Sequence, residues 1–239
     1  MVMRALLEFV LDALFPPQCI PCGEKLPRTA RFLSCCDACL KNIPMRSGFS
    51  CAECGRRLPL PRNTCHRGTP AVAAATDFTD ASAQALIYAL KYSGLTDAAR
   101  PLALLLHRHL VNYLPLETLT RPVLVPIPLH PKRLRARGFN QSALVAQELA
   151  RLFGDTVPVD DASLVRTANT TTQTAEATRE KRRENVRGAF AVRPGANLAG
   201  ATVLLLDDVC TSGGTLTEAT RVLRAAGAAR IIGIVVARA

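Results

Sequence analysis

One stretch constrains this chain more than any other. The aliphatic run Val203-Leu204-Leu205-Leu206 passes straight into two acids, Asp207 and Asp208, and then into Val209-Cys210-Thr211-Ser212-Gly213-Gly214-Thr215. A continuous aliphatic run reads as a strand buried on both faces, as in parallel sheets covered by helices. Two carboxylates at the end of such a strand are costly without a partner, which weighs against a plain turn and helix cap. Glycines after them let backbone N–H groups come close to an anion, and the start of a following helix adds positive potential. The hydroxyls of Thr211, Ser212 and Thr215 can donate to phosphate oxygens, while Asp207 and Asp208 can accept from sugar hydroxyls. The stretch predicts a loop that grips a phosphorylated sugar at the carboxyl edge of an α/β sheet. Cys210 reads as a small filler beside that loop rather than a reactive thiol.

The rest of the second part alternates as such a sheet requires. Strands are expected at Ala73 to Thr79, Val123 to Pro128, Thr202 to Val209 and Arg230 to Ala237. Helices are expected at Ser82 to Lys91, Ala98 to Tyr113, Asn140 to Phe153 and Thr215 to Ala226. That alternation predicts a mostly parallel sheet flanked by helices. Thr167 to Arg187 is threonine-rich, then charged, and has no apolar stripe, so it reads as a long mobile or functional loop.

Cysteines organise the first part. Eight of the nine lie between Cys19 and Cys65, in a stretch with little helical or strand periodicity. Met1 to Phe15 is amphipathic, with Glu8 and Asp12, and lacks the uninterrupted apolar core of a signal peptide. No segment reaches transmembrane length. The expected compartment is the cytoplasm, where thiols stay reduced and paired cysteines suggest metal before disulfides. Cys19-x-x-Cys22 and Cys36-x-x-Cys39, with thirteen residues between Cys22 and Cys36, predict a tetrahedral four-thiolate zinc site, with an iron–sulfur cluster as the alternative. Cys35 can swap in or stay free. A second set, Cys51, Cys54 and Cys65, has Gly68 where a fourth cysteine would fall. It needs His66 or Cys35 as its last ligand.

Together these motifs resemble a known family. The Asp-Asp and Thr/Ser/Gly loop is similar to the signature of type I phosphoribosyltransferases, which bind phosphoribosyl pyrophosphate (PRPP). Pro126-Ile127-Pro128-Leu129-His130-Pro131-Lys132-Arg133-Leu134-Arg135-Ala136-Arg137-Gly138-Phe139-Asn140-Gln141 resembles a stretch of the ComF family. So do Arg166 through Gln173, Arg182-Arg183-Glu184-Asn185-Val186-Arg187-Gly188-Ala189-Phe190, and Ala89-Leu90-Lys91-Tyr92 behind paired cysteines. The resemblance implies a type I phosphoribosyltransferase fold over residues 71–239 with a small Cys-rich zinc module over residues 1–70. It implies a PRPP loop at 203–216 and a hood at 166–190. Leu129 to Gln141 falls where the fold places a pyrophosphate loop, with Lys132, Arg133, Arg135 and Arg137 supplying charge; Lys91 is a weaker candidate.

The implied ligand set is Asp207, Asp208, Thr211, Ser212, Gly213, Gly214, Thr215, Lys132, Arg133 and Arg137, with Asp207 and Asp208 as catalytic candidates and Mg²⁺ accompanying PRPP. Competence members of the family help bring incoming single-stranded DNA into the cytosol, so DNA and other competence proteins, such as a helicase or DNA-processing factors, are implied partners. The net charge of +11 suits such polyanions, though it also suits plain solubility. Arg179, Arg182, Arg183 and Arg187 of the hood add to the basic surface. Two other functions stay open: a transferase of nucleotide metabolism or salvage, and a PRPP-sensing regulator. Nucleobase transferases usually offer an aromatic edge late in the chain, and no Tyr, Phe or Trp follows Phe190.

Overall fold

The structure, a computed structural model, describes residues 16–27, 29–30, 32–61, 65–168 and 186–239. Met1 to Phe15 and most of the Thr167 to Arg187 segment lie outside the described residues.

In chain order the elements are α1 (Asp37–Asn42), β1 (Phe49–Cys51), β2 (Arg57–Leu58), β3 (Ala71–Asp77), α2 (Ala81–Tyr92), α3 (Ala99–Tyr113), β4 (Pro122–Pro126), α4 (Pro131–Arg137), α5 (Gln141–Leu152), β5 (Leu164–Arg166), β6 (Phe190–Val192), β7 (Thr202–Cys210), α6 (Gly214–Ala225) and β8 (Arg230–Arg238). The main sheet runs β2-β1-β3-β8-β7-β4. The pairs β3–β8, β8–β7 and β7–β4 are parallel. The β1–β2 hairpin adds antiparallel strands at one side, so the sheet runs on across residue 70. β5 and β6 form a separate two-stranded ribbon.

Strand alternation sorts the core into two layers. Leu204 and Leu206 of β7 and Ile232 and Ile234 of β8 pack with Leu86, Leu90, Leu105, Leu106 and Leu149 from α2, α3 and α5. Val203, Leu205 and Val235 face the other way, against Leu216 and Leu223 of α6 and against Leu164 and Phe190 of the ribbon. Each large aliphatic side chain buried this way contributes about 1.5–3 kcal/mol.

The expected strands and helices of the second part appear within two residues of their predicted bounds. Two readings need correction. Leu129 to Gln141 is not a loop: Pro131–Arg137 is a helix, with the His130 side chain capping its start and Gly138, at φ +85°, closing its end. The cysteine-rich stretch is not without regular structure either, since it holds α1 and the β1–β2 hairpin.

Candidate functional site

The acids of β7 lie where the sheet, α5 and α2 converge. Asp208 is only 5% exposed. One carboxylate oxygen meets Lys91 Nζ at 2.8 Å, and the other accepts from Gln141 Nε2 at 2.9 Å. Gln141 in turn accepts from the Arg137 guanidinium. Asp207 accepts from Ser142 Oγ at 3.3 Å and from the Asp208 N–H at 2.9 Å. Asn140 caps α5 and also donates to the Ile127 carbonyl at 3.0 Å, which ties the helix start to the end of β4.

These groups are electrically coupled. Burial, and then the Asp208 charge, push the Asp207 carboxyl up to about 7, while Lys91 pulls it down. Burial works against the Lys91 ammonium, but Asp208 outweighs it and holds the pKa above the ordinary lysine value.

A pocket of about 280 Å³ opens over the two acids, walled by Lys91, Tyr92, Ile127, Leu129, Arg133, Arg137, Gln141, Arg166 and Thr215. Of the predicted ligands, Asp207, Asp208, Thr215, Arg133 and Arg137 line it. Thr211, Ser212, Gly213 and Gly214 make the turn from β7 into α6 beside it. Lys132 is exposed on α4 and stands outside the lining. Sequence reasoning did not single out Gln141 or Ser142, and it named Tyr92 and Arg166 only within stretches that carry the family resemblance. Gln141, Tyr92 and Arg166 sit inside the quoted motifs, which was the available signal. Arg166 Cζ lies 5.3 Å from the centre of the Phe190 ring. Arg179, Arg182 and Arg183 lie outside the described residues.

A second, more open groove of about 480 Å³ shares Lys91, Tyr92, Arg133 and Arg137 with the pocket and extends to Ser93, Gly94, Ala136 and Phe139. Tyr92 is 72% exposed, and the Arg137 guanidinium lies 5.8 Å from its ring centre.

The cysteines gather into two clusters. The ligand atoms of Cys19, Cys22, Cys36 and Cys39 all lie within 4.8 Å of one another, and so do those of Cys51, Cys54, Cys65 and His66. Thiolates around a tetrahedral zinc with bonds of about 2.3 Å stand roughly 3.8 Å apart. Cys22 Sγ and Cys36 Sγ are 3.9 Å apart, so the first set fits the ion closely. In the second, His66 Nδ1 lies 3.0 Å from Cys65 Sγ and 3.5 Å from Cys51 Sγ, where a fourth donor would stand. Cys35 joins neither set; it is buried, and burial pushes its thiol up to about 12. Cys210 is likewise buried, its thiol pushed up to about 11, and fits a filler role.

Known proteins match both halves. Residues 140–239 match the phosphoribosyl transferase domain, and residues 10–69 match the double zinc ribbon domain. A Salmonella typhi protein named DNA utilization protein YhgH is 29% identical over 87% of this chain and 91% of its own length. Competence protein F of Haemophilus influenzae is 34% identical over 45% of this chain and 46% of its own. The chain is thus similar to proteins named for competence and for DNA utilization. As in the ComF resemblance, a zinc ribbon precedes a type I phosphoribosyltransferase domain, and the two cysteine clusters support structural zinc. A crystal structure of the protein TT1426 from Thermus thermophilus is a looser likeness, with 18% identity and a TM-score of 0.34 over 57% of this chain and 72% of that one. Among the described residues no helix is long and apolar enough to cross a membrane.

Proposed function

We propose that this protein acts as a member of the ComF family, that it binds PRPP with Mg²⁺ in the pocket over Asp207 and Asp208, and that it assists natural transformation by handling incoming single-stranded DNA in the cytoplasm. The observation that carries the reading is the placing of opposite charges within one pocket. Two acids suited to ribose hydroxyls lie beside Lys91, Arg133, Arg137 and Arg166, which suit a pyrophosphate, and Thr215 stands at the start of α6. Mg²⁺ would arrive on the pyrophosphate oxygens, with the acids at hand to complete its oxygen shell. Relatives named for competence and DNA utilization support the cellular side, and a helicase or DNA-processing factor is the kind of partner such a role needs. The protein should melt at higher temperature with PRPP and Mg²⁺. A ligand at about 100-fold over its Kd adds roughly 2.7 kcal/mol of stability. Asp207→Asn with Asp208→Asn should abolish the shift, and no shift for the wild type at millimolar PRPP would defeat the reading.

One observation favours a catalytic version. The groove that runs on past Tyr92 and Phe139 offers room and two aromatic rings beside the ribose pocket. A planar acceptor, or a base of a DNA strand, could stack there. Pyrophosphate release from PRPP across nucleobases and amines tests transfer. Salt-dependent anisotropy with single-stranded DNA, with and without excess PRPP, tests whether DNA uses the same arginines.

A further inference from the structure

The second cysteine cluster does more than hold its own hairpin together. Cys51 ends β1, and the next residue, Ala52, is fully buried against the turn that follows β7. Its carbonyl oxygen accepts from Arg238 Nη2 at 3.2 Å and from Cys210 Sγ at 3.7 Å. Gly213, the residue before α6, presses on the same carbonyl: a Cβ at Gly213 would stand 2.2 Å from that oxygen. Gly213 also has φ +73°, so glycine is required there twice over, by conformation and by space.

Arg238 closes the arrangement. It pairs in register with Cys210 across β8 and β7, and it is 9% exposed. Its guanidinium reaches Ala52, Ser50 Oγ at 3.5 Å and Cys210 Sγ at 3.8 Å, and it packs against Gly55. Among the described residues it meets no carboxylate, and a buried cation without a counter-charge is costly. A zinc ion held by three thiolates and a neutral imidazole leaves one negative charge in excess. Ala52 lies between the ligands Cys51 and Cys54, and Gly55 follows Cys54, so the guanidinium stands against the backbone that carries those thiolates.

We propose that the zinc centre of Cys51, Cys54, Cys65 and His66 is a positioning element for the phosphate loop. The metal fixes the Ala52 carbonyl, and Ala52 with Arg238 fixes the path from Cys210 to Gly213. Arg238 is a positioning residue that acts through Ala52 and Cys210 and supplies the counter-charge of the zinc–thiolate group. The ligand side of this inference rests on the PRPP reading; the mechanical side does not.

The test separates the two. Amide hydrogen exchange at residues 211–215 is measured in the full chain alongside zinc content and PRPP affinity. Cys54→Ser should cost one zinc and speed exchange in the turn about tenfold, with a similar loss of PRPP affinity, as for other groups just outside a metal's ligands. Arg238→Lys should keep both zinc ions yet loosen the same amides. Cys22→Ser should cost the other zinc and leave the turn at its wild-type protection. Folded Cys54→Ser protein with one zinc and a wild-type turn overturns the proposal, as does an unchanged turn in Arg238→Lys. If Cys54→Ser does not fold, stepwise zinc withdrawal from the wild type replaces it, and turn exchange that fails to follow loss of the second ion overturns the proposal. Failure of wild-type protein to bind PRPP defeats the ligand reading alone, while exchange still decides the coupling.

Discussion

Lys91 and Asp208 set the character of the site at the smallest scale. Their contact is 2.8 Å long and largely shielded from water, with Gln141 on the remaining carboxylate oxygen. Removing one member of such a pair strands the other's charge. Lys91→Met should lower unfolding free energy by roughly 3 kcal/mol, the low end for buried pairs because Gln141 still donates; urea titration reads this. Asp207 gives a second signature. Its carboxyl is held at about 7, against 3.8 for an ordinary aspartate. Between those values the folded chain binds more protons there than the unfolded chain. Its contribution to stability therefore falls as pH rises from 3.8 to about 7, and levels off above. Asp207→Asn should flatten that slope, as measured by urea midpoints at about pH 5 and about pH 8.

At the scale of elements, α4 decides whether the basic residues of Pro131–Arg137 act as a set. A helix places Arg133 and Arg137 one above the other, facing the pocket, and leaves Lys132 and Arg135 toward solvent. Gly138 ends it in the left-handed region with open space around its missing side chain. Gly138→Ala should therefore cost about 1 kcal/mol through backbone strain alone. It should also weaken PRPP binding by shifting the last turn, which calorimetry can follow. The helix was legible in hindsight: Pro131 at its start and Gly138 at its end are ordinary boundary signals. A dense run of Arg and Lys without an apolar stripe hid it. The long strands and helices of the second part were legible because burial on a sheet imposes a period. β1, β2, β5 and β6 were not, since two or three residues cannot display one. Likewise Asp207 and Asp208 announced themselves by breaking an aliphatic run, whereas Tyr92 and Arg166 reach the pocket from distant elements and were marked only as members of the quoted motifs.

For the molecule as a whole, the two cysteine clusters serve different parts. The first, with α1, stands beside the sheet; the second ends a strand of it. Structural zinc supplies on the order of 10–16 kcal/mol, most of it used in folding the segment it binds. Cys22→Ser should therefore release residues 16–45 while Phe49–Cys51 and Ala71–Asp77 keep their exchange protection, because β1 stays paired with β3. Metal analysis should find two zinc ions in the wild type and one in the variant. Release of β1 along with α1 would show the cysteine-rich half to be one unit.

The placing of β8 carries a consequence for how the chain is made. β3 and β7 flank it and do not touch each other's edges. β3 emerges from the ribosome long before the strand that separates it from β7. Until Arg230–Arg238 arrives, each has a bare hydrogen-bonding edge, with β1 or β4 on its other side. A nascent chain stopped just short of Ile231 would hold every residue that lines the pocket over Asp207 and Asp208 and still be two loose sheets, prone to pair with other chains. The pocket is thus assembled only once Arg230–Arg238 has slid between its neighbours and brought Arg238 to the β1–β2 hairpin.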